Sequence, residues 1–203
     1  TADGVVVLSH DEDLRRTAND PRTVGEVMWA ELADLDSGDG RGFVRLDDTL
    51  HAQPAMKFNI DLKDSSVVQA ALQTVRDAQA LDRVRFASFS ARRLAVLRRQ
   101  EPRALTSLGV SDVLGLMLRS EAAVPLPQTR WGWTRGRVDA VQVPESYHGV
   151  PVVTRRFVAS AHTADLEVHV WTVDEPERMR QLADLNVDAI MTDVPSLALK
   201  TLS

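Results

Sequence analysis

The sequence predicts an α/β protein of the (β/α)8, TIM-type barrel class, lacking its first β/α unit. Three observations carry this expectation. Short apolar runs alternate with longer amphipathic stretches, the pattern of strand–helix–strand units with a parallel sheet and right-handed crossovers. Seven such runs occur in 203 residues, and the first has neither helix nor strand before it. Polar or aromatic residues follow most of the runs at their C-terminal ends, where barrels of this kind gather their chemistry. Periodicity alone also allows an open doubly wound sheet, but the strand count favours a barrel one unit short. A single domain over 1–203 is expected, with an insertion at about 21–50.

The runs are Val5–Leu8, Lys57–Leu62, Val84–Ser88, Ala104–Thr106, Val138–Val143, Glu167–Thr172 and Ala189–Thr192. Between them, Val67, Val68, Ala71, Leu72 and Val75 recur at spacings of three and four, as do Ala91, Leu94 and Leu97, which predicts helices. Asp174-Glu175-Pro176-Glu177 reads as a helix start with an N-cap acid and an early proline, and Met179, Leu182, Ala183 and Leu185 as its buried face. The least regular stretches are Pro21–Leu50 and Glu121–Gly136. The second holds Pro125, Pro127, Trp131, Gly132, Trp133 and Gly136 and reads as a long surface loop.

Composition excludes several classes. A hydrophobic fraction of 44% suffices for one sizeable core. A net charge of −5 argues against nucleic acid as a partner. With no cysteine there is no disulfide framework and no thiolate chemistry; this suits a reducing compartment, and a cytoplasmic location is expected. No apolar run approaches the ~20 residues of a membrane span.

The second run carries the sharpest chemical signal. Alternation puts Phe58, Ile60 and Leu62 on one face and Asn59, Asp61 and Lys63 on the other. If both faces are covered, each buried ion needs a partner to offset several kcal/mol of lost hydration. Two readings fit: an internal Asp61–Lys63 ion pair, or a metal and a phosphate-like ligand at the strand's end. Other strand-end candidates are Ser9, His10 and Asp11, then Ser88 and Phe89, Gln142, Trp171 and Thr172, and Asp193. His10 can serve as a general acid near neutral pH, or can be a surface histidine bonded to Asp11. Trp171 can wall a substrate pocket or pack in the core. His51 and His148 fall in loops, His162 near a helix end and His169 inside a strand. Arg15 and Arg16 read as a basic pair on a solvated helix.

Taken in order, these pieces resemble the glycerophosphodiester phosphodiesterase family. Thr1-Ala2-Asp3-Gly4 and His10-Asp11-Glu12-Asp13-Leu14-Arg15-Arg16-Thr17 resemble its T-x-D-G…H-D-x-x-L-x-R-T block, and Asn59-Ile60-Asp61-Leu62-Lys63 its N-I-[ED]-x-K block. Ser88-Phe89 matches an S-F pair and Trp171-Thr172-Val173-Asp174 matches W-T-V-[ND]. Asn186-Val187-Asp188-Ala189-Ile190-Met191-Thr192-Asp193-Val194-Pro195 matches G-V-D-x-I-x-T-D-x-P, with Asn186 at the usual glycine. The resemblance implies a barrel with an insertion after its second strand and a divalent metal, Mg2+ or Ca2+, at its mouth. It implies a proton-donor role for His10, a metal-ligand role for Asp61, and a phosphate-binding role for Lys63. Phe89 and Trp171 become substrate-binding candidates. The family's H-R-G and E-x-D blocks do not occur in this sequence, and Thr17-Ala18-Asn19-Asp20 stands where T-T-x-G is usual. Weak metal binding and little turnover are therefore expected of this stretch by itself.

The leading expectation is a metal-dependent hydrolase releasing an alcohol and glycerol phosphate from small glycerophosphodiesters, within lipid metabolism. The alternatives are a non-catalytic barrel acting as a binding or regulatory module, and a phospholipase D-like hydrolase of lipid headgroups.

Overall fold

The computed structural model of the protein describes residues 1–38, 40–121 and 137–203. The chain divides into two compact units, Thr1–Arg85 and Phe86–Ser203.

The first unit opens with a tight turn. The Gly4 N–H donates to the Thr1 carbonyl at 3.0 Å, and Gly4 has a φ of 82°, backbone that a side chain disfavours. The chain continues through β1 (Val7–Leu8), α1 (Arg15–Ala18), a 3-10 turn (Val24–Glu26), α2 (Trp29–Leu32), β2 (Asp36–Gly38), β3 (Arg41–Gly42), β4 (Val44–Arg45) and α3 (Leu46–Ala52). β1 pairs antiparallel with β4, Val7 opposite Arg45. Val5–Leu8 is thus no strand of the parallel sheet, contrary to the sequence expectation, because an apolar run reports burial and not the partner it pairs with. The stretch 21–50 is also more regular than expected. Its elements are mostly two to four residues long, too short for a periodic pattern to register. Buried Val27, Leu32 and Phe43 join Leu14 in a local core. Asp3 accepts the N–H of Trp29, the first residue of α2, at 3.0 Å. It supplies the cap that the side chain of Met28 does not.

β5 (Phe58–Asp61) and α4 (Val67–Asp77) follow. The buried face of α4 is Val68, Ala71, Leu72 and Val75, the stripe the spacing predicts. The Phe58 N–H donates to the Arg83 carbonyl at 2.8 Å, setting β5 beside the start of β6 (Val84–Ala87), which runs on into the second unit.

The second unit contains α5 (Ala91–Gln100), β7 (Leu105–Ser107), α6 (Val110–Glu121), β8 (Arg137–Pro144), β9 (Ser146–Tyr147), β10 (Val150–Pro151), α7 (Arg155–Thr163), β11 (Glu167–Trp171), α8 (Pro176–Asp184), β12 (Ala189–Ile190) and α9 (Pro195–Leu202). Its sheet runs β12-β11-β8-β7-β6, and β7, β8, β11 and β12 pair in parallel. Each successive β/α unit therefore lays its strand beside the previous one, as in a barrel. Val141, Val143, Val168 and Val170 form the heart of the core against Phe157, Ala161, Met179 and Leu182 from α7 and α8. Side-chain caps start two helices: Ser90 accepts the Arg93 N–H before α5, and Thr154 accepts the Phe157 N–H before α7. A Cβ on Gly109 would lie 2.5 Å from the Ala91 Cα, so only glycine lets the α6 entry meet the start of α5. In α8, Pro176 is at the first turn as expected, but Ala183 is exposed, and Met179 and Leu182 alone are buried. The stretch expected as a long surface loop, with Trp131 and Trp133, lies outside the described residues from 122 to 136.

Candidate active site

His10, Asp61 and Lys63 belong to the first unit, Phe89 and Trp171 to the second. Asp61 closes β5, and buried Leu62 separates it from Lys63, so alternation sends both charged side chains to one face. The Lys63 Nζ lies 2.7 Å from the Asp61 Oδ2, and the two side chains are 46% and 30% exposed. The ion pair that was one of the two readings is present. The dry surroundings expected for it are not, since Asn59 and Lys63 are exposed and Asp61 partly so. A pair this open contributes at most about 1 kcal/mol, so it can part for a ligand at small cost.

His10 has 86% of its side chain exposed, and its Nδ1 lies 2.7 Å from the Asp11 Oδ1. The second Asp11 oxygen accepts from the Arg16 Nε at 2.6 Å. These contacts hold the Asp11 carboxyl below the usual carboxylate range, the His10 hydrogen bond first and that of Arg16 second. His10 makes no hydrogen bond to Asp61 or Lys63 among the described residues. Arg15 pairs with Asp13 at 3.4 Å, so both basic residues of this helix face acids of the chain itself.

The Phe89 and Trp171 rings meet edge to face, with centroids 6.0 Å apart and planes at 86°. β7 and β8 lie between their strands in the sheet, so the two side chains lean toward each other over the strand ends. Phe89 is 62% exposed, an apolar ring open to a ligand, and the Trp171–Thr172 peptide is cis.

Several motif residues prove to be structural. The N-cap acid of α8 is Glu175, whose side chain makes no cap bond, while Asp174 accepts from the Thr192 Oγ1 at 2.8 Å and the Asp193 N–H at 2.9 Å, tying the segments after β11 and β12 together. Asp188 accepts the Val168 N–H and meets the His162 Nε2, both at 2.8 Å. Ser88 accepts from the Arg93 guanidinium at 2.9 Å. His51 lies in the last turn of α3, not in a loop, and its Nδ1 faces the Asp47 carbonyl. His148 occupies the β9–β10 turn with a φ of 49°. His169 lies inside β11 as expected and is buried, with Glu167 at 3.0 Å and Gln142 at 3.4 Å, a satisfied core imidazole. Thr17-Ala18-Asn19-Asp20 ends α1, with Asn19 as its left-handed C-cap at a φ of 52°. A cavity lined by Met117, Ser120, Val150, Pro151, Val152 and Thr154 includes none of the predicted site residues.

Among the described residues, no group of three or more His, Asp or Glu side chains is placed to hold a cation. No helix among them is long and apolar enough to cross a membrane.

The model of the glycerophosphoryl diester phosphodiesterase family matches residues 1–197. The chain belongs to this family. It is 37% identical over 195 residues to the probable glycerophosphodiester phosphodiesterase 2 of Mycobacterium tuberculosis, covering 95% of this chain and 72% of that protein. Among solved structures it resembles the glycerophosphoryl diester phosphodiesterase domain of an uncharacterized Mycobacterium tuberculosis protein, with a TM-score of 0.77, 16% identity, and coverage of 100% of this chain and 84% of that one. An Oleispira antarctica phosphodiesterase, solved in complex with the product sn-glycerol-3-phosphate, aligns with a TM-score of 0.74, 17% identity, and coverage of 100% and 81%. Membership in this family makes the chain a phosphoric diester hydrolase, and the fold likeness agrees with the α/β barrel class read from the sequence.

Proposed function

We propose that the chain hydrolyses small glycerophosphodiesters to an alcohol and glycerol phosphate, with Lys63 on the phosphate and His10 as proton donor. The reading rests on one observation: a solvent-open Asp61–Lys63 pair at the C-terminal end of β5 in a phosphodiesterase chain. The glycerol phosphate bound by the Oleispira relative matches the expected product. Glycerophosphodiesters are deacylated phospholipids, so the reaction belongs to lipid metabolism.

Asp61 is proposed as one ligand of a divalent cation, Mg2+ or Ca2+. The described residues do not themselves make such a site, because a lone carboxylate falls far short of the six or more oxygens these ions take. Two steps belong to the chain's own side chains. The Lys63 ammonium neutralises the non-bridging phosphate oxygens, whose charge is most concentrated in the transition state. Water adds to phosphorus and releases a proton to solvent, from which His10 is later reprotonated, as the bond to the alcohol oxygen breaks and that oxygen keeps the electron pair. It takes a proton from the His10 imidazolium, a contribution of about 100- to 10,000-fold when the donor is well placed. Phe89 and Trp171, within the second unit, are proposed as substrate-binding residues through their apolar rings.

The test is hydrolysis of glycerophosphocholine against intact phosphatidylcholine by the natural protein and its Lys63→Met and His10→Gln variants. Lys63→Met should lower turnover by about 100-fold or more while the unfolding free energy stays within about 1 kcal/mol, since the lost pair is exposed. Turnover lost on chelation and regained with Mg2+ or Ca2+ would support the cation, and turnover indifferent to chelation would remove it. Unchanged turnover with a lower melting temperature in Lys63→Met would leave only a structural ion pair. Preference for the intact lipid would favour the headgroup hydrolase, and binding without hydrolysis a non-catalytic module.

A further inference from the structure

The H-D-x-x-L-x-R block contains an aspartate, a leucine and an arginine to which the proposed chemistry gives no task. The structure links them. Leu14 is fully buried and plants the start of α1 in the local core. Asp13 accepts the Arg15 N–H at 3.2 Å beside that start, and Arg16 then reaches back from the helix to Asp11. The Ser9 hydroxyl donates to the Asp11 carbonyl at 2.7 Å and braces the loop from the other side.

We infer that Asp11, held in turn by Arg16, is a positioning residue that fixes His10 with its proton on Nδ1 and presents Nε2 to the substrate. The inference rests on the reading of His10 as the proton donor. Its physical basis is a count of donors and acceptors. An ionised carboxylate only accepts, so the 2.7 Å contact between Asp11 Oδ1 and His10 Nδ1 requires the hydrogen on Nδ1. The other oxygen is occupied by the Arg16 Nε at 2.6 Å, which stops the carboxylate from swinging away. With 86% of the imidazole exposed, packing against the described residues is slight and these hydrogen bonds are its main restraint. Nε2 is left as the atom that gains and loses the proton, with Asp11 beside the charge that forms on the ring. A side chain that orients a catalytic imidazole through its second nitrogen is a recurrent arrangement. In this chain the orienting group is the next residue, and a helix-borne arginine supplies the rigidity that neighbours in a loop lack.

Nitrogen-15 NMR of the His10 ring, combined with kcat and KM for glycerophosphocholine, tests this in the natural protein as parent and in its Asp11→Asn, Asp11→Glu, Arg16→Met and His10→Gln variants. The parent's neutral ring should carry its proton on Nδ1. In Asp11→Asn the Nε2-protonated form should grow, kcat should fall about tenfold or more, and KM should stay within about twofold. Asp11→Glu should recover part of the rate, and Arg16→Met should lose several-fold. A merely structural Asp11 would change the melting temperature and leave the tautomer alone. A parent ring protonated on Nε2 overturns the inference, as does parental kcat in Asp11→Asn when His10→Gln is impaired. Parental kcat in His10→Gln overturns the assignment of His10 itself, and the positioning role falls with it.

Discussion

Asn186 follows the C-cap of α8 with a φ of 62°. Most side chains pay about 1–2 kcal/mol for that left-handed backbone, glycine nothing, and asparagine little. The glycine usual in this block and the asparagine found here therefore answer one backbone requirement. Asn186→Val should lower the unfolding free energy by about 1–2 kcal/mol, and Asn186→Gly should leave it within about 1 kcal/mol, as read by urea denaturation. A harmless valine would show that the turn relaxes out of the left-handed region. At the same scale, sequence alternation found that Asp61 and Lys63 share a face. The His10–Asp11 bond was one of the two sequence readings of that histidine, but nothing in the sequence showed that Arg16, five residues on, holds the other oxygen of Asp11.

Helices show the same division. The α4 stripe was legible because an apolar pattern of period 3.6 needs only the sequence. The roles of Asp174 and Arg98 were not, because each depends on a partner from another element. Arg98 on α5 is 2% exposed. Its Nη1 donates to the Thr106 Oγ1 of β7 at 2.9 Å, and its Nε has no hydrogen-bond partner among the described residues. Burial lowers the pKa of this guanidinium, opposed by the charge of Asp112 on α6. A charge so placed is expensive to desolvate, and an apolar residue of similar volume can equal or exceed it. Arg98→Met should be neutral or stabilising, whereas Thr106→Val should cost about 1–3 kcal/mol by removing an acceptor from a buried charge. Urea unfolding of the two variants checks both. A severe loss in Arg98→Met would mean that the arginine organises the α5–β7 contact.

For the whole molecule, acid should loosen the first unit. Asp20 is pulled from 3.8 to about 2 by the side chain and backbone N–H of Arg22. Asp3, Asp11 and Glu26 are also lowered, each chiefly by hydrogen bonds it accepts. All four lie in Thr1–Arg85. Their folded pKa values are depressed, so below about pH 4 the unfolded chain binds more protons than the folded one. The stability they contribute is present above that pH and is lost as the pH falls through their folded values. Hydrogen exchange in acid should report opening of Thr1–Arg85 as these carboxylates protonate, and Asp20→Asn should flatten the loss between about pH 4 and pH 2. An identical acid profile in Asp20→Asn would show that Arg22 holds this carboxylate equally well in the unfolded chain. The family and the α/β class were readable from residues alone, because strand and helix periods and the order of short motifs are local properties of a chain. Tertiary structure alone decided that Val5–Leu8 pairs with β4, that Lys63 closes on Asp61 in the open, and that the Phe89 and Trp171 rings meet. Each of these depends on which distant backbone or side chain comes within a few ångströms, and hydrophobic spacing carries no record of that.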